Sequence, residues 1–197
     1  KMDEDNIDFN SAFDTLRDCF GKSVAPVVVP IWDASKKVTG VVDVIHKRAF
    51  EPDGNKRKEV PIPEDKVGVV DELYDQLMES VAETSEELME KFFSGESFTY
   101  AEVMQGLRSG VRDCSLVPVV CGSSFTGLGT LMLLDFIVDL LPNPLEGVPA
   151  SAANKDGEHE DFIVSQGAVP AAFVFKTVAD QYGKFSFVKV ISGSLTP

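Results

Sequence analysis

At 197 residues and 44% hydrophobic content the chain is long enough to bury a core, and its length suits one large domain or two small ones. Its 32 Asp and Glu against 18 Lys and Arg leave a formal net charge of -14, which argues against a broad basic surface for nucleic acid and favours a basic partner. No apolar run reaches membrane-spanning length, no signal peptide opens the sequence, and the odd set Cys19, Cys114 and Cys121 forms no disulfide framework, so a reducing, cytoplasmic setting is expected. His46 and His159 are the only histidines and stand in no ligand-type spacing, so no metal site is expected.

The sequence opens on Lys1 and stops at Pro197 just after the alternating run 185–191, which reads as a piece of a longer protein. Asn10 is placed to cap a helix through about Phe20, with Phe13, Leu16 and Phe20 on one face and Gly21 beyond its end. Val24 to Ile31 is short and β-branched and predicts one buried strand. Lys36 to Gly40 reads as a turn, and Val41 to Ile45 as a strand with Val42 and Val44 on one face and Asp43 on the other. Asp53-Gly54-Asn55 marks the tip of a charged hairpin within 51–58.

Pro61 and Pro63 break the chain ahead of an acidic helix for which Asp65 or Asp71 is the expected start. Leu73, Leu77, Val81, Leu88 and Phe92 recur at three- to four-residue steps and give this helix one core-facing side. On the same helix Glu79, Glu83 and Glu86 stack at i, i+4 and i+7. Like charges at that spacing repel by roughly 0.2–0.5 kcal/mol per pair, a penalty that a basic partner would relieve. A solvated acidic face is the simpler reading of these residues alone.

Thr99 with Glu102 has capping-box spacing and predicts a helix to about Ser109. Leu116 to Val120 reads as a buried strand, and Leu131 to Leu141 as an apolar helix stopped by Pro142. Asn143 to Gln166, rich in Pro, Gly, Ala and acids, reads as a linker. Ala171 to Leu195 alternates around Asp180-Gln181-Tyr182-Gly183 and predicts a β-hairpin with a long turn. An isolated hairpin is marginal in water, and this one carries Phe173, Phe175, Phe185, Phe187 and Val190, so it is expected to belong to a larger sheet or barrel and, in this piece, either to fold back on the remnant Leu116 to Leu141 or, as the favoured outcome, to add its edge to a neighbouring molecule in a dimer.

Two fragments bear on chemistry. Lys1-Met2-Asp3 and Cys121-Gly122-Ser123-Ser124-Phe125 would both sit at strand ends beside one pocket of an open α/β sheet. There the Asp3 carboxylate would accept from the ring N–H and exocyclic amine of guanine, a pair of donors that adenine lacks. Lys1 would lay its stem along the base, and the backbone N–H near Ser124 would reach the guanine oxygen, with Ser123 beside it.

These residues carry a resemblance. Lys1-Met2-Asp3 resembles the end of the Asn-Lys-Met-Asp guanine motif of translational GTPases. The stretches Phe-Val-Phe-Lys-Thr-Val-Ala-Asp (173–180), Glu-Glu-Leu-Met-Glu-Lys-Phe (86–92), Thr-Gly-Val-Val-Asp (39–43) and Val-Cys-Gly-Ser-Ser-Phe (120–125) resemble bacterial elongation factor G, in order and along nearly the whole chain.

The resemblance implies an α/β (α+β) chain: a remnant of a P-loop GTPase domain with an inserted subdomain, then the first strands of a β-barrel. Its layout would be 1–25 and 116–145 for the GTPase domain, 26–115 for the insert, 146–167 for a linker and 168–197 for the barrel. It implies that the guanine-binding residues are Lys1, Asp3, Ser123 and Ser124. It further implies that Glu79, Glu83 and Glu86 meet the basic C-terminal domain of the ribosomal stalk protein, and that the parent uses GTP, GDP and magnesium on the ribosome to drive translocation of tRNA and mRNA. No Gly-x-x-x-x-Gly-Lys-Ser/Thr loop occurs in these residues, and nothing resembles the switch segments, so the piece by itself is expected to be catalytically inactive, without catalytic residues, and to bind no nucleotide. Ser124 stands where Ala is usual, and the 180–184 turn lacks the usual Pro and is one residue shorter. The alternative is a non-enzymatic module that binds a basic protein through its acidic helix.

Overall fold

The computed structural model describes residues 1–147, 150–162, 164–165 and 167–196. The chain mixes helix and strand and divides into two compact units, Lys1–Leu141 and Pro142–Pro197.

The first unit opens with α1 (Phe9–Phe20). Asp8 rather than Asn10 caps it, its Oδ1 accepting from the Ser11 N–H at 3.0 Å, while Asn10 lies inside the first turn. Both residue types cap well, and the one whose side chain reaches the third amide of the helix takes the role.

The apolar run after α1 forms two strands, not one. β1 (Val24–Pro26) and β2 (Val28–Trp32) lie in different sheets, and Val27 is the crossing point. Its N–H donates to the Val119 carbonyl and its own carbonyl accepts from the Val44 N–H, both at 3.0 Å. A continuous apolar run reports burial but not which neighbour each residue pairs with.

β2, β3 (Val38–Asp43), β4 (Arg48–Asp53) and β5 (Lys56–Val60) form a four-stranded antiparallel meander. β3 begins earlier than expected because Asp33 closes the preceding turn, its Oδ1 accepting from the Ser35 and Lys37 amides at 2.8 and 2.9 Å. The β4–β5 hairpin turns at Gly54-Asn55, as its composition predicts. Alternation along the strands sends Val28, Val41 and Phe50 to the main core, and Val29, Ile31, Val42, Val44 and Ala49 to a second cluster.

Three helices follow: α2 (Glu64–Ala82), α3 (Glu86–Phe93) and α4 (Tyr100–Arg112). Pro63 occupies the N-cap of α2, so neither Asp65 nor Asp71 starts it. The expected single acidic helix is broken at Thr84-Ser85. The Thr84 hydroxyl donates to the Val81 carbonyl at 2.7 Å, and extended Ser85 caps α3 by accepting from the Leu88 N–H at 3.2 Å.

Against this break lies Gly106 of α4, where an added Cβ would fall 2.7 Å from Val81 Cγ1 and 3.1 Å from Thr84 Oγ1. Leu77, Val81 and Leu88 reach the core as the periodicity predicts, but Phe92 stays 38% exposed. α4 opens on the expected Thr99–Glu102 capping box and runs three residues past Ser109.

β6 (Val117–Val119) pairs in parallel with β1. Leu116 is buried, yet Val117 is 42% exposed, so the strand is not the buried one expected: among the described residues β6 has only β1 beside it. α5 (Thr130–Leu140) buries Met132, Phe136 and Leu140, and Leu141 is extended ahead of Pro142.

In the second unit, part of the stretch expected to be an aperiodic linker forms a hairpin, β7 (Ala150–Ala153) with β8 (His159–Phe162). The side chain of Asn154 closes its turn by accepting from the Asp156 and Glu158 amides. Val148, Pro149, Ile163 and Gln166 of that stretch lie outside the described residues.

β9 (Ala171–Asp180) and β10 (Gly183–Ser192) form the expected hairpin with a two-residue turn, Gln181-Tyr182, rather than a long one. Asp180 Oδ1 accepts from the Tyr182 N–H at 2.8 Å and holds that turn. Phe173, Phe175, Phe185 and Phe187 are all substantially open to solvent, between 49% and 60%. Among the described residues no helix is long and apolar enough to cross a membrane, and no group of side chains has metal-holding geometry.

Candidate functional site

The two fragments singled out by chemistry meet. The Met2 N–H and the Lys1 amino nitrogen both donate to the Gly122 carbonyl, at 3.1 and 2.9 Å, which ties the start of the chain to the loop after β6. Asp3 is exposed, and its carboxyl is held below the ordinary range, chiefly by a hydrogen bond from the Ser123 side chain. Ser123 itself is 2% exposed. Its hydroxyl also accepts from the Thr126 N–H at 3.2 Å, and its N–H donates to the Leu128 carbonyl at 2.9 Å.

Glycines close this loop by necessity. A Cβ on Gly122 would sit 2.6 Å from the Leu128 carbonyl oxygen, and one on Gly129, at φ +71°, 2.5 Å from that of Cys121. Cys121 is buried, and burial pushes its thiol up to about 12, which leaves it neutral packing beneath the loop. Ser124 and Phe125 face solvent, Phe125 at 90%. Lys1 Nζ lies 3.7 Å from Glu4 Oε1, on an exposed side chain.

The arrangement therefore offers an ionised, accessible carboxylate fixed by a buried hydroxyl, with a tightly turned backbone beside it. Such a carboxylate accepts two donors from a planar ligand at once.

The acidic positions are distributed differently from the expectation. Glu79 is in the last turn of α2, Glu83 is its C-cap and Glu86 is the first residue of α3, so the three do not share one helix. All three are exposed, and none forms an ion pair among the described residues.

Across its whole length the chain is 34% identical to an elongation factor G-like protein of Thermotoga maritima. The chain matches the elongation factor G-like proteins along its whole length. The chain spans 28% of that relative's length. A solved structure of a Thermus thermophilus protein matches 96% of the chain with a TM-score of 0.76 at 26% identity, and the match covers 26% of that protein. No family model matches the chain.

This elongation factor G-like chain holds contacts that its sequence did not announce. Asp43, only 7% exposed, accepts from the His46 N–H at 3.0 Å and contacts His46 Nδ1 at 2.7 Å, while His46 Nε2 lies 3.1 Å from the Tyr100 hydroxyl. The three-residue spacing of Asp43 and His46 was the available signal; the third partner is 54 residues away. Arg57 of β5 meets Asp135 of α5 at 2.5 Å, a pairing with no local signature.

Proposed function

We propose that this elongation factor G-like chain carries the base-reading edge of a translational GTPase together with the acidic surface by which that enzyme is recruited. The single observation behind the proposal is the tie of the Lys1 amino nitrogen and the Met2 N–H to the Gly122 carbonyl, at 2.9 and 3.1 Å, which joins two segments some 120 residues apart around the exposed Asp3 carboxylate. Asp3 accepts from the ring N–H and exocyclic amine of guanine. The backbone N–H of Ser124 serves the guanine oxygen, Ser123 orients Asp3, and the Lys1 stem covers the base. Buried donors or acceptors left unpaired by the wrong base cost about 1–3 kcal/mol each, which makes such an edge selective.

The donor set fits the base of GTP or GDP and no other part of it. The chain has no phosphate loop, and phosphate contacts supply most of the electrostatic hold on a nucleotide, so by itself it is inactive. In the longer protein, residues 1–25 and 116–145 end the GTPase domain, 26–115 form its insert, 146–167 link, and 168–197 start a β-barrel. That protein hydrolyses GTP, with magnesium, in the cytoplasm to drive tRNA and mRNA through the ribosome. Exposed Glu79, Glu83 and Glu86 receive the basic C-terminal domain of the stalk protein.

In the full-length protein Asp3→Asn narrows the preference for GDP over IDP, which lacks the exocyclic amine, without lowering the melting temperature. An unchanged GDP-to-IDP ratio would sink the assignment.

A further inference from the structure

We infer that the β4–β5 hairpin braces the 121–129 loop from the side and that Arg57 is a positioning residue for base recognition, the second half of this resting on the guanine reading above. The loop turns through Gly127 and Gly129 at φ +78° and +71°, residues that lose the most freedom on ordering, so it needs restraint from outside. The hairpin supplies it. Phe50, Pro52 and Arg57 on one side and Gly127, Leu128 and Met132 on the other line one small cleft, and Phe50, Leu128 and Met132 share the main core.

The Arg57 guanidinium stacks 4.8 Å from the Phe50 ring centre and reaches Asp135 Oδ2 at 2.5 Å, one turn and a half into the helix that starts just after Gly129. Arg57 thus holds hairpin and helix together across the loop's exit. From there the path to the carboxylate is short: the Leu128 carbonyl takes the Ser123 N–H at 2.9 Å, and the adjoining Gly122 carbonyl takes the Met2 N–H at 3.1 Å, next to Asp3. Arg57 touches no base in this scheme. It acts by limiting the positions open to Leu128.

Hydrogen exchange on the chain, read amide by amide, tests the brace. Arg57→Gln is expected to speed exchange at Ser123, Thr126 and Leu128 about five-fold relative to Val103 and Leu107 of α4, the scale of one partly exposed ion pair. Arg57→Lys, which keeps a cation beside Asp135, recovers part of that. Equal acceleration of loop and α4, or none, overturns the brace.

In the full-length protein Arg57→Gln should lower the GDP-to-IDP affinity ratio by a similar factor. If the loop amides respond while neither Arg57→Gln nor Asp3→Asn moves that ratio, the guanine reading fails and the brace stands. If Asp3→Asn moves it and Arg57→Gln moves neither readout, the inference about Arg57 is wrong.

Discussion

Lys91 of α3 places its Nζ 2.8 and 2.9 Å from the two carboxylate oxygens of Glu102, the same side chain that closes the capping box at the start of α4. Glu102 thereby serves two helices at once. The Lys91 hydrogen bond first, then those of the Thr99 amide and hydroxyl, pull its carboxyl down to about 2 from 4.5.

A carboxyl depressed in the folded state contributes stability that is complete above its unfolded value and is lost as pH falls through the folded one. Wild type should therefore lose this contribution between about pH 4.5 and 2, whereas Glu102→Gln should be less stable at neutral pH and show a flatter acid limb there. Urea unfolding across that range checks it; parallel curves for the two proteins would rule out the coupling.

Two helical glycines should respond in opposite directions to the same substitution. A methyl on Gly106 collides with Val81 and Thr84, and overpacking of this kind costs about 1–3 kcal/mol. A Cβ added at Gly68 of α2 would meet nothing within 4 Å beyond its own helix backbone, so Gly68→Ala should stabilise by roughly 0.5–1 kcal/mol through helix propensity alone. Denaturant midpoints of the two variants measure both.

Ser123→Ala in the full-length protein removes the bond that holds the Asp3 carboxyl low. Base reading needs the ionised form, so nucleotide affinity should begin to fall at a higher pH in the variant than in wild type as the solution is acidified. At neutral pH the loss of one hydrogen bond of about 1 kcal/mol gives roughly a five-fold weaker affinity for GDP. Calorimetry over a pH series reads both effects.

Replacing Glu79, Glu83 and Glu86 together by Gln should slow association with the stalk domain and flatten its salt dependence, while dissociation changes less. Stopped-flow mixing at two ionic strengths decides it. An unaltered on-rate returns these residues to the role of a solvated face.

The β9–β10 hairpin, with its exposed phenylalanines, is expected to drive concentration-dependent dimerisation of the chain through an edge strand. Light scattering should show Phe175→Ser with Phe187→Ser to be monomeric where the wild type is not. A strictly monomeric wild type removes the proposal.

Features written in neighbouring residues were legible. The Thr99–Glu102 box, the Gly54-Asn55 hairpin turn and the core positions Leu77, Val81 and Leu88 each follow from spacings of a few residues. Some misses were local choices between neighbouring candidates, as where Asp8 rather than Asn10 caps α1 and Asp33 starts β3 early, and the larger ones depend on partners distant in sequence. Val27 splits an apolar run between two sheets because Val119 and Val44 claim its two backbone groups, and the acidic helix breaks where α4 packs against Thr84. Of the site, Asp3 and the 121–125 loop were chosen from chemistry, but the roles of Gly129 and Arg57 emerge only from contacts across the fold.

Because β1 and β6 are direct neighbours, with Val24 beside Val117 and the Val117 N–H on the Ser23 carbonyl at 2.7 Å, the chain leaves and rejoins its small parallel sheet at adjoining points. Everything from the meander to α4 is an excursion through a single doorway. Such an excursion can grow or shrink over generations without changing the register of the sheet it departs from. Its inner wall is less free, because Arg108 of α4 donates to the Asp139 carbonyl at 2.5 Å and Leu107 shares a core with Phe136 and Leu140 of α5. A shortened descendant would keep its strands in order and would have to find new cover for that helix.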